Sequence, residues 1–195
     1  MDFSNYFWVN EPRVFCFDSD SLTLQTEPNT DFWQRTYYGF QNDNAHACLM
    51  QTEERNFSFS VNVRYIPKQL FDQAGIIIYL NSENWFKASV EFETAEISKL
   101  GSVVTNHGFS DWATTDIKTG PDINMSYRLS RRNNDFLIEG AQNGNTFHQM
   151  RIFHLREAAG MIQTGIYACS PLQSSFQAEF SSFDFGKCVW EPYKK

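Results

Sequence analysis

Trp85, Lys87 and Glu91 alternate along one run, QAGIIIYLNSENWFKASVEFE (Gln73 to Glu93), so an indole, an ammonium and a carboxylate share one side of a strand. Such a trio suits a hydroxyl-rich ligand, because the indole can stack while the charged groups give directional hydrogen bonds. Counting by two from Trp85 also places Ser89 and Glu93 on that side, with Phe86, Ala88, Val90 and Phe92 opposite. On the preceding run Gln73, Gly75, Ile77 and Tyr79 share a face, so Gln73 and Tyr79 adjoin the trio. The structural alternative is a Lys87–Glu91 ion pair lying over a packed Trp85.

Two further groups carry chemistry-bearing residues. Ser110-Asp111-Trp112 follows Asn106-His107-Gly108 in what reads as a loop. There Asp111 can accept hydrogen bonds from a ligand on which Trp112 stacks, or cap the turn while Trp112 plugs the core edge. Trp33, Arg35, Tyr37 and Tyr38, followed by His46, form a second aromatic and basic cluster. Glycoside hydrolysis needs two carboxylates about 5–9 Å apart. Glu91 and Glu93 lie roughly 6.5–7 Å apart along one strand face. A partner on a facing or neighbouring strand fits the chemistry better, and Asp111 and Glu139 are the candidates; Glu91 with Asp111 is the expected pair if the protein is an enzyme. His46, His107, His148 and His154 have no metal-ligand spacing, so no metal or other cofactor is expected. The GxSxG, P-loop and dinucleotide-binding signatures are absent.

These residues must be carried by β structure. Phe, Tyr and Trp number 19, 8 and 5 and accompany many Val, Ile and Thr residues, a composition that favours strands. In Phe57 to Arg64, Phe57, Phe59, Val61 and Val63 face one way while Ser58, Ser60, Asn62 and Arg64 face the other, as in a strand with one solvated side. Around the central pair, joined by Leu80 to Asn84, strands are expected over Val14–Phe17, Ser21–Gln25, Ala45–Met50, Ser102–Thr105, Met125–Arg131, Asp135–Glu139, Thr146–Leu155, Thr164–Cys169 and Phe176–Phe185. TEPNTDFWQRTYYGFQNDN is expected to be a loop, and one helical turn is expected around Arg156 to Gly160. Roughly a dozen strands without a long helix require sheet packed on sheet or a closed barrel. The expectation is an all-β antiparallel two-sheet sandwich, formed as a single domain over residues 1–195.

Composition narrows the partners. The net charge of -7 and the scattered basic residues argue against nucleic acid. Arg131-Arg132, the densest basic spot, is expected on a solvated turn flank. The apolar run from Ala74 to Leu80 is too short to span a bilayer as a helix, so no membrane partner is expected. MDFSNYFWVN lacks a basic region followed by an apolar stretch, and cytoplasm is the default compartment. Cys16, Cys48, Cys169 and Cys188 form no CxxC pair, and Cys48 and Cys169 sit in apolar runs as small hydrophobes.

Five ordered motifs then identify a relationship. DFWQRTYYGFQNDNAH, DQAGIIIYLNSENWFKASVEF, VVTNHGFSDW, YRLSRRNNDFLIE and GIYACSP together resemble the domain-of-unknown-function family numbered 1349, which also includes the fungal regulation of enolase protein. The resemblance implies a concanavalin A-like jelly roll, the fold of lectins and glucanases. Its signature positions fall on Trp33, His46, Asp72, Gln73, Gly75, Trp85, Lys87, Glu91, Ser110, Asp111, Trp112, Arg128 and Ser170-Pro171. Where the family has Lys-x-Gly-x-Glu, this chain has Lys87-Ala88-Ser89-Val90-Glu91. The resulting expectation is a saccharide or polyol site on the concave sheet, built from Trp33, His46, Gln73, Tyr79, Trp85, Lys87, Glu91, Asp111, Trp112 and Arg128. The alternatives are a regulatory protein-interaction role and a glycoside hydrolase acting through paired carboxylates. Monomer or weak homodimer is the expected state.

Overall fold

The computed structural model describes residues 3–192. Sheet A runs in the order β1 (Tyr6–Val9), β6 (His46–Thr52), β15 (Ile162–Cys169), β8 (Gln73–Asn81), β9 (Asn84–Phe92), β10 (Ile97–Asn106), β11 (Phe109–Lys118). Sheet B runs β14 (His148–His154), β13 (Asp135–Gln142), β12 (Ile123–Arg132), β7 (Asn56–Tyr65), β16 (Gln177–Lys187), β3 (Ser21–Gln25), β2 (Phe15–Phe17). A separate hairpin pairs β4 (Phe32–Gln34) with β5 (Gln41–Asp43). The two large sheets are antiparallel and pack as a concanavalin A-like jelly-roll sandwich, with no helix among the described residues.

Period-two alternation decides what enters the sandwich. Phe57, Phe59, Val61 and Val63 from sheet B meet Ala74, Ile76, Ile78, Phe86, Ala88 and Val90 from sheet A in one buried cluster. A second, smaller cluster lies on the other face of sheet A, where Phe32 and Trp33 cover Ile77, Trp85, Val103 and Tyr167. Sheet A is therefore buried on both faces over its middle strands, which explains the unbroken apolar run in β8.

Four strands were not anticipated by pattern: β1, β4, β5 and β11. Ser110, Asp111 and Trp112 belong to β11, which pairs with β10 along its whole length rather than forming a loop. Its burial pattern shows no clean alternation because it is an edge strand, exposed on several sides. The segment expected as a loop between β3 and β6 contains the β4–β5 hairpin. Leu80–Asn84 contracts to a turn at Ser82 and Glu83, with a register shift between Tyr79 and Asn81. Residues 156–160 form turns rather than a helical turn. Arg131 departs most from expectation: instead of flanking a solvated turn, it is fully buried. All four cysteines are free, and Cys48 and Cys169 are buried as expected.

Candidate functional site

Four strands of sheet A line up the polar face row by row. Register places Cys169, Gln73, Glu91 and Lys99 in one row across β15, β8, β9 and β10. The next row reads Tyr167, Gly75, Ser89, Gly101, and the next Gly165, Ile77, Lys87, Val103. Two glycines flank Ser89, so the middle row rises little above the backbone and leaves a depression between Glu91 and Lys87. Trp112 leans over it, its Nε1 only 3.0 Å from where a Cβ on Gly101 would sit.

The segment between β3 and β6 arches across this depression. Thr30 N–H donates to Ser170 O at 3.0 Å, and Asn44 N–H and Ala45 N–H both donate to Asp31 O at 3.1 Å. Farther along, Gln34 N–H donates to Ser110 Oγ at 2.9 Å, and that hydroxyl also bonds Thr105 Oγ1 at 2.8 Å. The half-open cavity beneath this segment has a volume of about 360 Å³. Its floor carries Gln73, Lys87, Ser89 and Glu91; Trp33, Tyr38, Phe40 and Trp112 supply aromatic walls, with Phe71 and Pro171 at one side.

The floor is electrostatically organised. Lys87 is buried and its ammonium donates to Asp31 Oδ1 at 2.9 Å. Burial is the largest single influence and disfavours this charge, but Asp31, with Cys169 and Glu91 adding to it, outweighs burial and holds the Lys87 pKa above the ordinary lysine value. Among the described residues Asp31 is the ammonium's one hydrogen-bond acceptor, which leaves donor capacity beside the cavity. Glu91 is pushed up to about 7 by burial, with Lys87 opposing the rise and Asp31 and Glu93 adding to it. Gln73 orients the carboxylate: its Nε2 donates to Glu91 Oε2 at 2.9 Å and to Phe71 O at 3.2 Å. The other end of that amide accepts from the Tyr167 hydroxyl at 2.9 Å, which is also 2.7 Å from Ser89 Oγ. Glu91 can thus accept a ligand hydroxyl when ionised and donate when protonated.

Of the residues expected from sequence, Trp33, Gln73, Lys87, Glu91 and Trp112 line this cavity. The others stand elsewhere. Trp85 has no exposed surface, packs against Phe32 at 5.8 Å and donates from Nε1 to Ser82 O, so its indole is core and cannot stack on a ligand. The structural alternative is met in part: Trp85 is packed, but Lys87 pairs with Asp31 rather than with Glu91. His46 is buried; its Nε2 accepts from Glu27 N–H at 3.1 Å, which leaves Nδ1–H to donate to Asn10 O at 2.7 Å. It is a neutral structural link. The Tyr79 hydroxyl donates to Asp43 Oδ2 at 3.0 Å and braces β5 without reaching the cavity. Asp111 points away from Trp112 along the alternating strand and meets Arg151 of β14 at 2.5 Å, joining the two sheets at their edge. An acid pair of Glu91 with Asp111 is therefore overturned. Arg128 lies on sheet B, where it pairs with Glu139 at 2.8 Å. Glu139 is thereby also removed from Glu91.

Sequence reasoning missed Asp31, Phe40, Phe71 and Gly101; it placed Ser89 on the right face and Tyr38 in an aromatic cluster without joining either to the site. Gly101 carried a usable signal, since an isolated glycine within a strand marks a close approach. Asp31 carried none: its partner is 56 positions away.

A jelly-roll sandwich with an aromatic-walled, acid-and-ammonium-floored cavity on the outer face of one sheet defines the class. The chain belongs to the family described as "Protein of unknown function (DUF1349)", which it matches over residues 8–188. It is similar to Regulation of enolase protein 1 of Saccharomyces cerevisiae, 29% identical over 176 residues that cover 90% of this chain and 86% of that one. A solved structure of a functionally unknown protein from Saccharomyces cerevisiae superimposes with a TM-score of 0.87 at 27% identity, covering 97% of this chain and 100% of that chain. The GH43 BlXynB protein from Bacillus licheniformis has a TM-score of 0.72 at 16% identity over 94% of this chain and 37% of that chain, a likeness of fold alone.

Proposed function

We propose that the protein binds a saccharide or similar polyol in the cavity over Gln73, Lys87, Ser89 and Glu91. The observation that carries the reading is the pairing of this polar floor with the walls Trp33, Tyr38, Phe40 and Trp112. Rings stack on the apolar faces of a sugar, while a buried ammonium with unused donors and an orientable carboxyl satisfy its hydroxyls. The volume of about 360 Å³ lies at the small end of the range of about 300–1,000 Å³ common for ligand pockets. Folds of this kind also occur in carbohydrate-active proteins such as the GH43 neighbour, which is supporting context.

A panel of neutral mono- and oligosaccharides in a thermal-shift assay tests the reading, followed by calorimetric titration of any hit. A saturable rise in melting temperature, lost in Glu91→Ala when circular dichroism shows that variant folded, is the expected result. A flat response across the panel overturns it. A hydrolytic reading is favoured by one observation, that two carboxyl groups, Glu91 and Asp31, line the same cavity, with burial holding Glu91 above the usual carboxylate range. It requires Glu91 with Asp31, and product analysis after incubation with the bound saccharide decides it.

A further inference from the structure

The walls of the cavity continue outside it. Tyr38, Phe40 and Trp112 line the cavity and are also exposed at 54%, 45% and 41%, with Tyr37 beside them at 93%. Single exposed rings are ordinary, but adjoining rings at the mouth of a polar-floored cavity form a patch that a ligand would cover. Tyr38 and Phe40 stack with centroids 5.7 Å apart, and Trp33 bridges inward, edge-on to both Tyr38 and Trp112.

This platform is held in place. Arg35 N–H donates to Phe40 O at 2.9 Å and Gly39 N–H donates to Arg35 O at 2.7 Å, closing the turn that carries the tyrosines. Arg35 and Tyr37 adopt φ values of 55° and 63°, a left-handed backbone that costs side-chain-bearing residues on the order of 1–3 kcal/mol each. The Arg35 guanidinium donates to Gly108 O at 2.8 Å, where a Cβ on Gly108 would collide with it. In the other direction sheet A floors the cavity through Gln73, Lys87, Ser89 and Glu91 of β8 and β9, so a ligand enters from the side that the rings face.

We propose that the cavity seats the terminal unit of an uncharged, hydroxyl-rich chain and that the next unit or two lie across Tyr38, Phe40 and Trp112. The inference rests on the saccharide-binding reading and extends it to chain length, chain end and charge. A cavity of about 360 Å³ holds only a small ligand, so the rest of a longer chain would lie outside it, across the exposed rings at its mouth. Charge selection follows because Lys87, the one cation among the lining residues, is already paired with Asp31 and the remaining charged group is an acid. At pH 8, where Glu91 is ionised, a ligand carboxylate would meet it with no unpaired cation to offset the repulsion.

Calorimetric titration of the full chain with the monomer, dimer, trimer and soluble polymer of the xylo-, cello- and malto- series, together with glucuronate, tests this. In the series that binds, affinity should rise about 3- to 10-fold per added unit up to the trimer, the gain expected for stacking one ring. At equal mass the polymer should bind weakly, because it offers few ends, and at pH 8 glucuronate should bind less tightly than glucose. In Tyr38→Ala the trimer-to-monomer affinity ratio should fall towards one; the substitution lies in an exposed turn, and circular dichroism checks the fold. Monomer binding without any gain in length overturns the chain-end inference and leaves the binding reading standing. A polymer that binds as tightly per sugar unit as the trimer also overturns it, and glucuronate binding as tightly as glucose overturns the charge selection. If no saccharide in the panel binds, the binding reading itself fails and this inference falls with it.

Discussion

Among the described residues two cations, Arg131 and Lys87, are buried, and they are treated in opposite ways. Arg131 is fully buried on sheet B and donates to four backbone carbonyls: Asn133 at 2.6 Å, Glu54 at 3.0 Å, Ala158 at 2.5 Å and Gly160 at 3.1 Å. Lys87, 4% exposed on sheet A, has one acceptor among the described residues, Asp31, and a cavity beside it. The planar guanidinium fork can satisfy several separate carbonyls at once, which an ammonium on a flexible stem does poorly. The difference separates a clasp from a site. Arg131 has spent its donors fastening residues 158–160 to the sheet, whereas Lys87 retains donors for a ligand. Burial of charge alone therefore identifies neither role; what the charge leaves unsatisfied does.

The sharpest way to break this comparison is to remove the clasp. Arg131→Met should lose four charge-assisted hydrogen bonds and strand the carbonyls they satisfied, at a cost of about 4 kcal/mol or more. Urea unfolding measures it. A loss below about 1 kcal/mol would mean that the carbonyls find water and that Arg131 is not structural in this sense.

At the site, the expected loss is of similar kind but must be reversible by a second change. Asp31→Asn takes from the buried Lys87 charge its hydrogen-bonded counter-ion and leaves only the more weakly coupled Glu91, which costs about 3–5 kcal/mol. Adding Lys87→Met should recover much of that stability, because replacing both members of a buried pair is far cheaper than removing one. Saccharide binding should stay lost in both variants. If Asp31→Asn is as stable as the parent, Lys87 is better solvated than its burial implies.

How much of this was legible beforehand follows from the range over which each interaction acts. Alternation along Phe57–Arg64 and Trp85–Glu91 is local, so the faces of β7 and β9 could be read directly. That reading placed Lys87, Glu91 and Gln73 on one face and the structure keeps them there. It could not say what covers the face. Trp85 shares that face, yet Phe32, 53 positions earlier in the chain, packs over it and turns a candidate stacking residue into core. Arg128 failed for the converse reason: its own strand reads correctly, but strand order puts β12 in the other sheet. Arg131 was misread because adjacent basic residues usually are solvated, and nothing local shows that carbonyls from positions 54 and 158 converge on one of them.

Glu91→Gln sharpens the comparison through pH. The folded protein holds the Glu91 proton up to about 7, whereas the unfolded chain releases it near 4.5. Between those values the folded state binds more protons, so this group makes stability fall as pH rises. The penalty is absent below about pH 4.5, grows through the interval and is complete above pH 7, where it reaches on the order of 3 kcal/mol. Glutamine removes it. Parent and variant should therefore unfold alike at pH 4.5, and the variant should be the more stable at pH 8. Equal stability at both values would place the Glu91 carboxyl in contact with bulk water.

The smallest expected effect tests where the site is. Arg128 pairs with Glu139 at 2.8 Å and stacks over Phe147 at 4.2 Å on the outward side of sheet B, with both charged side chains partly solvated. Partly exposed pairs of this sort contribute about 0–1 kcal/mol, to which the stack adds about 0.5–1 kcal/mol. Arg128→Ala should lower stability by about 1 kcal/mol, and it should leave saccharide affinity unchanged because the whole sandwich core lies between this residue and the cavity. A variant that folds normally but loses binding would move the ligand to sheet B. The cavity beside Lys87 would then be an accident of packing, and the contrast between the two buried cations would no longer distinguish a site from a clasp.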